Sequence, residues 1–189
     1  FAPKFHPYLR HVGDVRRNLG IRTCLNLLGV LSNPASPSQQ LVGVWHPSLI
    51  DLIIKSLALL KTERAWVLHG ADGLDEITLA GETFVAELNT GKIKKFKISP
   101  EDFGLQKADI KHLKAKSADE SAKIVREVLE SKRRDEARAL VRAQRAGYEQ
   151  RGRGLAALRL TGGERGLPLR LGGRGGLPLL RLDADAVLG

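Results

Sequence analysis

Between Leu41 and Leu68 the chain runs through an apolar strand-like stretch (Leu41 to Trp45), a strongly apolar helical stretch (Pro47 to Leu60) and a second strand-like stretch (Ala65 to Leu68). Adjacent strands joined by a whole helix pair in parallel, because an antiparallel pair needs only a tight turn. This order predicts a βαβ crossover and an α/β fold. The other runs fit around it. Pro7 suits a helix start, and Leu9, Val12, Val15 and Leu19 follow at helical spacing until Gly20. Thr23 to Leu31 is a second short apolar stretch, closed by the breakers Asn33-Pro34-Ala35-Ser36-Pro37. Glu82 to Ser99 predicts a hairpin turning at Asn89-Thr90-Gly91, and its lysines at 92, 94, 95 and 97 mark an edge strand. Ser117 and Glu120 have capping-box spacing, opening a helix through about Ser131. The expected fold is α/β, with a central mixed sheet that contains the βαβ unit and is flanked by helices.

In open α/β sheets ligands gather at the carboxyl ends of the strands. The loop leaving the second strand reads His69-Gly70-Ala71-Asp72-Gly73-Leu74-Asp75-Glu76. The adjacent carboxylates Asp75 and Glu76 are hard oxygen donors, suited to magnesium that also takes substrate phosphates. An acidic glycine loop is also a common solvated turn, so both readings stand at this point.

Arg16 is the second candidate. At about 100° per residue it falls roughly 20° from Leu9 and 40° from Val12, on the apolar face of its helix. Arg10, Asp14 and Arg17 occupy the other side, a solvated face. An inward guanidinium stays charged and needs a carboxylate or phosphate, either an internal salt-bridge partner or an anionic ligand. No nucleophilic triad, Cys/His metal spacing, Walker motif or dinucleotide fingerprint is present. Cys24 is expected to be a small buried apolar residue, and Trp45 and Trp66 are expected in the core.

Charge separates the chain in two. The net charge is +10, and residues 142–189 hold 9 arginines, 11 glycines and 11 leucines with only 4 acids. Neither helical nor strand periodicity persists there. We expect residues 1–141 to be a partial α/β domain and residues 142–189 to be a tail. An RG-rich disordered segment, a linker and a reading frame shifted near Val141 are its three explanations, of which the last is favoured. The chain opens at Phe1 and contains no methionine, so it is expected to be a fragment. No stretch reads as a secretory signal or a membrane span.

The stretch FAPKFHPYLRHVGDVRRNLGIRTCLNLLGVLSNP, followed by HGADGLDE, EDFGL and SADESAKIVREVL, resembles the anthranilate phosphoribosyltransferase family of tryptophan biosynthesis. The likeness covers about 140 residues. It departs at Val30, where the family has proline, and at Tyr8-Leu9. It implies the C-terminal α/β domain shared by nucleoside phosphorylases and phosphoribosyltransferases, in incomplete form. It implies that Arg16 binds the anthranilate carboxylate, that Ala2, Pro3, His6 and Gly29 line the anthranilate channel, and that Asp75 and Glu76 hold Mg2+ with the pyrophosphate of phosphoribosyl pyrophosphate. A homodimer of the full-length protein and a cytoplasmic location are implied too. The family's glycine-rich phosphate loop is not in this sequence, so the chain alone is expected to be inactive. A nucleic-acid-binding protein using the RGRG segment and the lysine strand is the alternative from another class; a nucleoside phosphorylase relative is the third.

Overall fold

Ile50, Ile53, Ile54 and Leu57 recur at one-turn spacing and are all buried, which fixes the face that the crossover helix turns to the sheet. A computed structural model describes residues 10–109 and 113–150. Its helices are α1 (Arg10–Leu19), α2 (Leu25–Leu31), α3 (Leu49–Leu59), α4 (Ala118–Leu129) and α5 (Glu136–Gln150). Its strands are β1 (Gln39–Gly43), β2 (Arg64–Gly70), β3 (Thr83–Asn89) and β4 (Lys92–Ile98), and a 3-10 turn spans Pro100–Phe103. The strands form one sheet in the order β1-β2-β3-β4. Strand β1 pairs with β2 in parallel, Gln39 opposite Arg64 through Gly43 opposite Leu68. The sheet is mixed and the βαβ unit is present, as the residue pattern predicts. No described helix is long and apolar enough to cross a membrane.

The described residues divide into two compact units. The first holds 10–69, 73–76 and 84–97, and the second holds 70–72, 77–83 and the described residues from 98 on. In the first, the buried residues of α3 join Val42, Val44, Ala65, Val67, Ala86 and Leu88 in one core, against which Leu27, Val30 and Leu31 of α2 also pack. Each fully buried valine, leucine or isoleucine among them contributes roughly 1.5–3 kcal/mol relative to exposure. Helix α3 ends in a Schellman arrangement: Lys61 N–H donates to Ala58 O and Thr62 N–H to Leu57 O, both at 3.1 Å. This puts Lys61 at φ 60°, a left-handed position without the usual glycine. The two-residue turn between β3 and β4 has positive φ at Thr90 (47°) and Gly91 (82°), as a type I′ hairpin requires. Strand β4 is one edge of the described sheet, and its lysines are exposed, in keeping with edge protection.

In the second unit α4 packs on α5, and α5 on the 3-10 turn. Gln144 reaches from α5 to donate to Ile77 O at 3.0 Å. Arg133 bridges two acids, bonding Glu127 Oε2 through Nη1 at 3.1 Å and Asp135 Oδ2 through Nε at 2.8 Å.

Several expectations change. Helix α5 runs to Gln150, past the Val141 boundary set from composition, with Ala143 and Gly147 buried along it. Residues 151–189, the rest of the expected tail, lie outside the described residues. Cys24 is exposed at the start of α2, because the helix turns Leu27, Val30 and Leu31 inward instead. Trp66 is fully buried, but Trp45 lies beyond the end of β1 and is only partly covered, with the Arg22 guanidinium 5.0 Å from its ring centroid. The box at Ser117 is half formed. Ser117 Oγ accepts from Glu120 N–H at 3.2 Å, while the Glu120 carboxylate accepts from Lys116 N–H at 2.7 Å and not from the cap residue itself.

Candidate functional site at the strand ends

The parallel pair β1 and β2 ends at Gly43 and Gly70, and the chemistry-bearing loop leaves from there. Val44 extends the pairing one residue beyond β1, its N–H donating to Leu68 O at 2.9 Å. Its carbonyl accepts a hydrogen bond of 2.7 Å from His69 Nδ1. A carbonyl only accepts, so the proton sits on Nδ1 and the tautomer is set by this bond. His69 is buried, and its role is to tie the ends of two strands together.

The loop that bears the two carboxylates meets β1 at Gly43, next to this point. Asp75 and Glu76 are half-buried, and the backbone of Asp75 rests on Gly43 so closely that a side chain there would overlap the Asp75 carbonyl. Gly73 turns the loop at φ 93°, a conformation open to glycine. The third acid of the loop has another task. In the second unit Asp72 Oδ2 accepts from Thr78 Oγ1 at 2.6 Å, and that hydroxyl in turn accepts from Ala80 N–H at 2.9 Å. Thr78 N–H also donates to Thr83 Oγ1 at 3.1 Å. Asp72 is thus a loop-fixing acid, a distinction that spacing alone does not make.

Among the described residues no three His, Cys, Asp or Glu side chains gather to hold a metal ion. Two adjacent carboxylates are nevertheless the donor set that magnesium takes from a protein when phosphate oxygens and water complete its shell. Their chemistry fits that ion. A groove lined by Pro47, Asp51, Phe84, Lys95 and Phe96 lies elsewhere on the first unit, and its charges are already joined in the Lys95–Asp51 pair.

The other sequence-derived candidates are placed less fully. Gly29 lies in α2. Arg16 lies in α1, but its side chain is outside the described residues, as are Ala2, Pro3 and His6. Val15 and Leu19, elsewhere on α1, are about half exposed, at 51% and 50%. Sequence reasoning missed Arg22 over Trp45 and the link from His69 to Val44. Both join residues more than twenty positions apart, where no spacing rule applies.

Residues 1–149 match the glycosyl transferase family, a/b domain. The chain belongs to this family. Among glycosyl transferase relatives, the anthranilate phosphoribosyltransferase of Nitrosomonas europaea is 44% identical over 131 residues, covering 69% of the chain and 38% of that enzyme. The anthranilate phosphoribosyltransferase of Saccharomyces cerevisiae in complex with 4-fluoroanthranilate superposes with a TM-score of 0.71 at 27% identity, covering 85% of this chain and 48% of that one. The same yeast enzyme in complex with phosphoribosyl pyrophosphate and Mg gives 0.66 at 26% identity, covering 82% and 45%. The chain therefore spans about two fifths of the length of the Nitrosomonas relative. These likenesses favour the transferase reading over the nucleic-acid-binding alternative.

Proposed function

We propose that the chain is part of an anthranilate phosphoribosyltransferase, carrying the magnesium ligands and much of the anthranilate side of its active site. The observation that carries this reading is the Asp75–Glu76 pair at the carboxyl ends of β1 and β2, where α/β sheets bind ligands. It is supported by relatives named for that activity and by a structural neighbour described with phosphoribosyl pyrophosphate and Mg.

In the reaction the anthranilate amine forms a bond to the anomeric carbon of phosphoribosyl pyrophosphate. The bond from that carbon to the pyrophosphate oxygen breaks, and the amine gives up a proton. Magnesium supplies charge neutralisation of the departing pyrophosphate. Asp75 and Glu76 hold it by their carboxylates. Arg16 pairs with the anthranilate carboxylate, and Ala2, Pro3, His6 and Gly29 line the approach of the aromatic ring. No residue serves as a covalent nucleophile, so the protein contributes placement and electrostatics. The intact protein is expected to be a cytoplasmic homodimer.

Calorimetric titration with Mg2+ and Mn2+, comparing the chain with its Asp75→Asn/Glu76→Gln variant, tests the metal half of the reading. Loss of binding in the variant supports it, and equal binding by both sinks it. Titration with anthranilate, comparing the chain with Arg16→Ala, tests the other half in the same way.

A further inference from the structure

Position 43 accepts nothing larger than glycine. A Cβ built there would overlap the carbonyl oxygen of Asp75, lie 2.5 Å from its carbonyl carbon and 3.2 Å from its Cα. These are backbone atoms, so no change of rotamer relieves the clash. The loop itself has to move, by about 2 Å, before carbon and oxygen reach an ordinary contact of roughly 3.3 Å. Gly43 is not among the glycines with positive φ. The requirement is therefore for space against Asp75 and not for an unusual backbone conformation.

The next residue is held from both sides. Val44 N–H donates to Leu68 O at 2.9 Å, and Val44 O accepts from His69 Nδ1 at 2.7 Å. The end of β1 is thereby fixed on β2 beside Gly43, against which the Asp75 backbone packs. His69 is only 7% exposed, so solvent does little to replace that bond.

We infer that Gly43 and His69 are positioning residues that fix where the Asp75–Glu76 carboxylates stand at the strand ends. Gly43 gives the loop its seat by lacking a side chain, and His69 keeps that seat in place through Val44. Neither touches the metal. The inference rests on the reading of Asp75 and Glu76 as ligands, and its test separates the two.

The full chain and its Gly43→Ala, His69→Leu and His69→Asn variants are compared by two measurements. One is Mn2+ affinity from the electron paramagnetic resonance of the free ion. The other is amide hydrogen exchange without metal, over residues 71–76 and over β3 and β4. In Gly43→Ala and His69→Leu, Mn2+ affinity falls by about ten-fold to a hundred-fold, the usual effect of removing support behind a ligand. Exchange in 71–76 quickens by about ten-fold while β3 and β4 keep wild-type rates, as for a local opening. His69→Asn, whose side-chain amide donates from near the place of Nδ1, restores both. Wild-type affinity and wild-type loop exchange in Gly43→Ala and His69→Leu overturn the inference. Failure of the wild-type chain to bind Mn2+, with the exchange pattern intact, removes the metal reading and leaves the positioning role standing. Should Gly43→Ala loosen β3 and β4 as well, the histidine pair decides: rescue by Asn and not by Leu supports the inference, and no rescue overturns it.

Discussion

Trp66 donates its indole N–H to Glu87 Oε1 at 3.0 Å, with the indole fully buried and the glutamate only 9% exposed. The ring also meets Phe96 edge-on, with centroids 5.4 Å apart. A buried acid is thereby given a hydrogen-bond partner. Removing the donor leaves a buried carboxylate oxygen short of its partner, at a cost of roughly 1–3 kcal/mol. Trp66→Phe is expected to lose at least that much in urea unfolding, and Glu87→Gln, which keeps an acceptor, less. Equal stability of Trp66→Phe and wild type would show that the bond contributes nothing.

Helix α3 separates burial from hydrophobicity. Leu57 is fully buried and Leu59, two residues on, is 81% exposed. Leu57→Ala leaves a cavity in the core and is expected to cost roughly 2–5 kcal/mol, whereas Leu59→Ala stays within about 0.5 kcal/mol of wild type. Chemical denaturation of the two variants side by side checks the assigned face, and similar losses would refute it.

Lys61 holds a left-handed conformation at φ 60° where helices commonly place glycine. A side chain in that region costs about 1–2 kcal/mol, part of which glycine gives back through its freer unfolded chain. Lys61→Gly is expected to raise stability by about 0.5–1 kcal/mol, seen as a higher thermal midpoint. A lower midpoint would mean that the lysine makes a compensating contact.

Hydrogen bonding from Arg133 holds the Asp135 carboxyl below the ordinary aspartate range, against a smaller opposing effect of burial. A carboxylate whose folded pKa is depressed lends stability that is fully present above its unfolded pKa. That stability is lost as the pH falls through the folded value. The advantage of wild type over Asp135→Asn is therefore expected at neutral pH and should shrink through the acid range. Thermal melts from about pH 7 to about pH 2 measure it, spanning the carboxylate titrations. A gap that stays constant would take this ion pair out of the pH dependence.

The βαβ unit was legible because each of its elements repeats a local pattern. The apolar run of α3 and the glycine turn of the hairpin need no partner to be recognised. The carboxylate pair was legible for a similar reason, since a loop that follows the second strand of a parallel pair has a known place. Cys24 and Trp45 were misplaced because their burial depends on which neighbours fold over them, and apolar character alone does not say so. Helix α5 crosses Val141, where the composition changes, because a helix continues wherever its own buried face continues.

The sequence alone determined the order of strands and helices through α4, the parallel crossover and the loop that bears Asp75 and Glu76, because these follow from periodicity and short-range stereochemistry. Tertiary structure alone decided that Gly43 underlies Asp75, that His69 reaches back to Val44, and that Asp72 is engaged by Thr78. The contacts of Gly43 and His69 join residues more than twenty positions apart, and even the short reach from Asp72 to Thr78 depends on how the loop folds back. Such choices are made by excluded volume and by the need to satisfy buried polar groups once the chain has closed on itself.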